Sequence, residues 1–319
     1  MKDQRVWEFM RFGKIAAVMS ILLILGSIVS LFTKGLNFGL DFTGGTLIEI
    51  KYENTADLKS IRNRLNEAGY EGAVVINFGM DTDVLIRLQQ TESVANDEGA
   101  GDGGEKASLG DVILQMLQQD TDETIELKRV EVVGAQVGDE LRDSGGIGLL
   151  FALAVVMGYV ALRFQYKFSV GAVVALAHDV IIVLGFFSFL QLTFDLTVLA
   201  GILAVIGYSI NDTIVVFDRI RENFRIVRKG TSEEIINLSV SQTLERTLMT
   251  SFTTMLVLFA LFFIGGELIH NFSLALIVGI IVGTYSSVFM ASSILLGMKI
   301  SKEDLMPVEK EGADLEEIP

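Results

Sequence analysis

Cysteine is absent from the 319 residues, which excludes a disulfide framework and any thiolate metal site and leaves the redox compartment unread. Histidine is nearly absent, with only His178 and His270. There is no Gly-x-x-x-x-Gly-Lys-Ser/Thr run to cradle a nucleotide phosphate, and no nucleophile stands beside a plausible base in an aqueous segment. The chain is therefore expected not to be an enzyme, to need no cofactor or metal, and not to spend ATP itself. Basic residues are outnumbered 40 to 25 by acidic ones, for a formal charge of −15. An acidic, solvated surface of this kind argues against nucleic acid as a partner.

What the chain has is apolar sequence. Half of its residues are hydrophobic and the mean hydropathy is +0.50. Apolar blocks of about 18 residues or more recur, as membrane spans do. Six are expected, at 15–33, 144–162, 168–190, 196–217, 247–264 and 272–298. The first is longer than a signal-peptide core and lacks a small-x-small cleavage signal before Lys34, so it reads as a retained span. Lys and Arg fall at Lys2, Arg5, Arg11 and Lys14, at Arg163 and Lys167, between Arg219 and Arg246, and at Lys299 and Lys302. The alternate turns, Gln191 to Asp195 and Gly265 to Asn271, carry neither. The positive-inside rule then puts residues 1–14, the loop 218–246 and the acidic tail 299–319 in the cytoplasm, with both termini. Residues 35–143 lie on the other side.

That long segment has a pattern of its own. Thr46 to Tyr52 alternates as a strand, and Ala56 to Ala68 places Leu58, Ile61 and Leu65 on one helical face. Val74 to Phe78 and Val84 to Leu88 read as a strand pair. Thr91 to Lys106 is rich in Gly, Asp and Glu and reads as a mobile loop. Leu109 to Gln118 is helical by its Leu/Ile/Met spacing, and Thr124 to Val133 alternates as a last strand. Strand, helix, strand, strand, helix, strand is the order of an extracytoplasmic α+β domain of ferredoxin-like type.

Several polar groups sit where hydrocarbon is expected. Asn211 and Asp212 lie near the end of the fourth span, between Ile210 and Ile214. A carboxylate in hydrocarbon costs roughly 2.5–3.5 kcal/mol even on the mildest scale, so it is paired, lines a wet cavity, or carries an ion. Asp212 is six residues, about 9 Å of helix, before Asp218 at the cytoplasmic edge. His178 and Asp179 fall near the middle of the third span, where an imidazole beside a carboxylate can relay protons. Asp179 can equally join Asp212 in holding an ion, or the two residues can form an ordinary interhelical hydrogen bond. After the first span, Gly44 and Gly45 permit a tight turn that Asp41 and Thr43 can cap, giving either a structural turn or a hinge between membrane and outer domain. Gly279, Gly283, Ser287 and Ala291 recur every fourth residue of the sixth span, a small-residue seam for close approach of another helix.

One span, one outer domain and five spans joined by short turns is the layout of half a transporter of the resistance-nodulation-division (RND) superfamily. Leu40-Asp41-Phe42-Thr43-Gly44-Gly45-Thr46 resembles the signature of the SecD/SecF family within it. Ala177-His178-Asp179-Val180, Gly207-Tyr208-Ser209-Ile210-Asn211-Asp212 and Asp218-Arg219-Ile220-Arg221-Glu222-Asn223 resemble the smaller of its two subunit types. The resemblance extends from about Met10 to Lys299. It implies a bacterial inner-membrane subunit, with its long loop periplasmic, that uses a proton or sodium motive force to promote late-stage export of unfolded preproteins. It implies SecD as the other half, with the SecYEG channel, YajC and YidC as further partners in the lipid bilayer. It also points to Arg246, at the start of the fifth span, as a permanently charged gate for Asp212. Half of an RND small-molecule exporter and a non-conducting scaffold subunit are the alternatives.

Overall fold

The structure is a computed structural model and describes residues 6–70, 72–88, 109–119, 123–227 and 229–305. The expected loop from Thr91 to Lys106, the acidic tail after Pro307, and Lys2 and Arg5 lie outside the described residues. Among the described residues six helices are long and apolar enough to cross a membrane: 9–33, 136–163, 166–190, 196–226, 232–264 and 268–297. Both prolines of the chain, Pro307 and Pro319, follow the last of them, so no pyrrolidine ring removes a ladder hydrogen bond from any span.

In chain order, a 3-10 turn leads into α1 (Gly13–Thr33), the first span. Strand β1 (Asn37–Phe38) and the one-turn helix α2 (Leu40–Thr43) cross the membrane surface to the outer domain. There follow β2 (Gly45–Lys51), α3 (Leu58–Glu67), β3 (Val74–Phe78), β4 (Met80–Leu88), α4 (Leu109–Gln118) and β5 (Glu126–Val133). The sheet order is β3-β4-β2-β5 with every neighbour antiparallel, the split arrangement in which two strand-helix-strand units interleave. Thr46, Ile48 and Ile50 of β2 stand opposite Leu88, Ile86 and Val84 of β4. The period-two alternation puts Ile48 and Ile50 on one face, where Ile61 and Leu65 of α3 and Ile113 and Leu117 of α4 close over them. The Asp57 carboxylate caps α3 by accepting from Lys59 N at 2.9 Å and Ser60 N at 3.3 Å, trimming the helix expected from Ala56 to Leu58.

The remaining spans are α5 (Ala135–Arg163), α6 (Tyr166–Leu190), α7 (Leu196–Ile226) and α8 (Ser232–Ile264). The short strand β6 (Thr193–Phe194) between α6 and α7 pairs with β1. The sixth span is α9 (Glu267–Tyr285), a π-helical turn at Ser286–Met290, and α10 (Ala291–Gly297). The segment 218–246, expected as a cytoplasmic loop, is instead almost wholly helical, because α7 and α8 continue beyond the apolar run and turn only around 227–231. Hydropathy ends at Asp218, but Ile220, Phe224, Ile235, Ile236 and Val240 are all buried and hold the extensions together as a hairpin. Thr231 and Glu234 close a capping box at the start of α8, Glu234 N to Thr231 Oγ1 at 3.2 Å and Thr231 N to Glu234 Oε2 at 2.9 Å. The second span likewise begins nine residues before the expected 144, since α5 leaves the outer domain already helical. The sixth, expected as one regular helix, is interrupted by the π turn.

Candidate functional site

The polar residues of the third span meet partners from three other spans. Asp179 and His178 are each 1% exposed. Asp179 Oδ1 contacts His178 Nδ1 at 2.9 Å, while its Oδ2 accepts from Ser209 Oγ of α7 at 2.5 Å and from Ser286 Oγ of the sixth span at 2.8 Å. Ser286 is the first residue of the π turn, and the wider turn is what carries its hydroxyl to the carboxylate. On the far side of the imidazole, His178 Nε2 lies 3.1 Å from Ser20 Oγ of α1, and Ser20 Oγ lies 3.1 Å from Tyr285 Oη. Tyr285 in turn donates to the Ala16 carbonyl at 2.8 Å.

Counting protons along this chain fixes its state. Tyr285 has one proton and gives it to Ala16 O, so Ser20 must donate to Tyr285 and His178 Nε2 must donate to Ser20. The remaining contact, Nδ1 to Oδ1, holds one proton, either as imidazolium with carboxylate or as imidazole with carboxylic acid. Of the two Asp179 oxygens, Oδ2 takes both hydroxyl donors and Oδ1 faces the imidazole.

Asp212 is different. It is 3% exposed, and its Oδ2 is buried with no hydrogen-bond partner among the described residues. It follows Ser209 by three residues, about 4.5 Å along the same face of α7, so it stands one turn below the Asp179 network. Ser251 of α8 bonds Thr284 at 2.8 Å and Tyr208 at 3.4 Å, which sets the level of the antiparallel fourth and fifth spans. One turn from that level toward the 218–246 hairpin come Asp212 on α7 and Thr247 on α8, and Thr247 Oγ1 is also buried without a partner. Arg246 acts on Asp212 electrostatically but is exposed and makes no ion pair among the described residues. The expected direct contact between Arg246 and Asp212 is therefore not made. Asp179 and Asp212 do not share a hydrogen-bond partner among the described residues: Asp179 is engaged by His178, Ser209 and Ser286. Asn211 is exposed on α7 and does not join either group.

The glycine signature ties this bundle to the outer domain. Gly44 and Gly45 have φ of 68° and 129°, values that suit glycine. A side chain at Gly45 would strike the Leu88 carbonyl of β4, and one at Gly138 of α5 would come within 2.8 Å of Gly44 N. Asp41 does not cap its own turn: its Oδ2 accepts from Leu196 N at 3.0 Å, at the first residue of α7. Asp195 adds Val198 N at 2.8 Å. Thr43 Oγ1 closes the α2 turn on Gly39 O at 3.1 Å. Phe38, Phe42 and Phe194 pack around the junction with ring centroids 5.6–6.1 Å apart. Above it, Arg87 of β4 faces Asp195 and Asp41, but its burial outweighs them and lowers its pKa from the usual arginine value.

The small-residue seam finds its partner within the chain. A side chain at Gly279 would collide with Val205 of α7, and one at Gly283 would lie 3.1 Å from Ser209 Cβ. Ser287 and Ala291 are fully buried, and Gly171 of α6 faces the Ala291 carbonyl. The seam thus lets the sixth span approach the fourth closely enough for Ser286 and Ser209 to share one carboxylate oxygen. Ser20, Ser286 and Tyr285 were missed in the sequence. Their only signal is a hydroxyl in an apolar run, shared by many hydroxyls that merely back-bond their own helix. Among the described residues no group of three His, Cys, Asp or Glu side chains converges as a metal site would.

The chain as a whole is matched by known proteins. A family model described as protein export membrane protein SecD/SecF, C-terminal, matches residues 113–301, and a SecD/SecF GG motif model matches 29–56. The chain is 50% identical to the protein translocase subunit SecF of Vibrio alginolyticus, covering 100% of this chain and 99% of the relative. It is 51% identical to that of Pseudomonas aeruginosa over 94% of each chain, and 42% identical to that of Escherichia coli O157:H7 over 98% and 94%. It is similar to the crystal structure of SecDF, a translocon-associated membrane protein, from Thermus thermophilus, with a TM-score of 0.79 and 34% identity over 94% of this chain. It also resembles SecDF in a super-membrane-facing form, with a TM-score of 0.68 and 35% identity over 92% of this chain. It spans 39% of the length of each solved SecDF chain.

Proposed function

The chain belongs to the SecD/SecF family of protein-export membrane proteins, and from that premise we propose that it is the half-transporter which, paired with SecD, couples an ion gradient to late-stage preprotein export. The observation that carries this reading is the Asp41 to Leu196 hydrogen bond. It joins the start of α7, the helix bearing Ser209 and Asp212, to the turn whose glycines lead into β2, the central strand of the outer domain. A change at Asp212 that shifts α7 along its axis is thereby transmitted to the sheet.

In this mechanism Asp212 is the ion carrier. Its buried oxygen is without a hydrogen-bond partner among the described residues, and Arg246 is the permanent charge that can approach it. Relative movement of α7 and α8 then loads and releases a proton, or exchanges a sodium ion coordinated by Asp212 and Thr247. Each charge crossing brings about 2.3 kcal/mol per 100 mV, enough to redistribute two conformations separated by a few kcal/mol. The moving outer domain acts on an unfolded preprotein emerging from the SecYEG channel, with YajC and YidC as further neighbours. The termini and the 218–246 hairpin face the cytoplasm and the α+β domain the periplasm.

The test replaces Asp212 with Asn, or Arg246 with Met, and follows completion of export under proton-only and sodium-only gradients. Loss of the gradient-driven component in an intact complex supports the reading, and the effective gradient identifies the ion. Loss of assembly in place of ion dependence would support a scaffold subunit.

A further inference from the structure

A second site lies at the membrane face opposite the outer domain. Arg163 ends the second span, and Arg221 and Arg225 stand one turn apart near the end of the fourth. With Asp218, Glu222 and Ile226 they line an open cleft of about 320 Å³, at the lower end of the range of about 300–1,000 Å³ for small-ligand sites.

The cleft is short of negative charge. Glu222 is engaged by Arg219 at 2.8 Å. Asp218 is left to serve both Arg163 at 3.4 Å and Arg221 at 3.7 Å, longer than the roughly 2.7–2.9 Å of a good charge-assisted hydrogen bond. Arg225 has no ion-pair partner among the described residues, and Arg221 Nε is buried without an acceptor. The guanidinium groups are nevertheless held in place: those of Arg163 and Arg221 lie 5.2 and 5.4 Å from the Phe164 ring centroid. Planar donor forks fixed in advance, two of them sharing one distant carboxylate, suit a phosphate, which they can bind bidentately.

The position selects the source of that phosphate. Arg163 and Asp218 are the residues at which the apolar runs of the second and fourth spans end, the depth of lipid headgroups. Beside them Leu162, Tyr166 and Ile226 are 92%, 76% and 65% exposed, an apolar rim that free phosphate does not need. We infer that this cleft binds the phosphodiester headgroup of an anionic phospholipid, with the acyl chains leaving past Leu162. Basic pockets between spans are a recognised setting for such headgroups.

The full-length chain in neutral detergent, titrated with phosphatidylglycerol or phosphatidylcholine and read by native mass spectrometry, tests this. Phosphatidylglycerol adducts are expected to dominate, and the double variant R221Q/R225Q to retain about tenfold less of them. D218N, which removes the competing carboxylate, is expected to retain more and keeps the test open if the double variant does not fold. Equal retention of the two lipids, unchanged adducts in the double variant, or no gain in D218N would overturn the inference. So would inorganic phosphate that displaces phosphatidylglycerol at equal concentration, since the site would then be one for the free anion.

Discussion

His178 and Asp179 show how two adjacent polar residues in hydrocarbon are kept: they face each other at 2.9 Å, and hydroxyls from three other spans meet His178 Nε2 and Asp179 Oδ2. Replacing Asp179 with Ala would strand Ser209 Oγ and His178 Nδ1 and leave Ser286 only the Gly283 carbonyl, 3.1 Å away. An unsatisfied buried polar group costs about 1–3 kcal/mol, so the expected loss is several kcal/mol, seen as a lower unfolding midpoint in detergent. Asp212 makes the opposite prediction. Its buried Oδ2 gives up no hydrogen bond, so Asp212→Asn should lower the same midpoint less than Asp179→Ala does. Two buried carboxylates in one bundle would then separate cleanly, one needed for folding and one for transport.

At the scale of elements, the sixth span depends on what its glycines exclude. Gly279→Val would drive a side chain into Val205 and should cost about 1–3 kcal/mol by overpacking, whereas Gly26→Ala, where an added methyl meets nothing, should be neutral or stabilising in the same thermal assay. The inner end of the third span is held by the turn that follows the sixth. Lys167 donates to Asp304 Oδ2 at 2.7 Å and holds that carboxyl below its usual pKa, and Ser301 N donates to the same oxygen at 2.8 Å. A depressed carboxylate stabilises at pH above its unfolded value of about 3.9, and that contribution is lost as pH falls through the lower folded value. Protection of the Ser301 amide from hydrogen exchange should accordingly persist through mildly acidic pH and fall only below about 4. These elements were legible to different degrees. The strands of the outer domain follow from period-two alternation, but the π turn, which brings Ser286 to Asp179, follows from no periodicity. The hairpin of α7 and α8 was misread as a loop because hydropathy counts its charges and overlooks the buried Ile220, Phe224 and Ile235 between them.

For the whole molecule, the sequence carried the arrangement of spans, outer domain and candidate carboxylates, and the structure added how they connect. No spacing rule says that Asp41, about 155 residues before Leu196, caps the fourth span. Asp41→Ala should cost about 0.5–2 kcal/mol as a lost cap and reduce gradient-driven export more than Thr43→Ala, which loosens only the local turn. Export in membranes carrying the Asp212→Asn variant, with the complex shown to be assembled, tests the account most directly. It predicts that the stimulation of export by an ion gradient disappears while gradient-independent export continues. Full stimulation in that variant would contradict it.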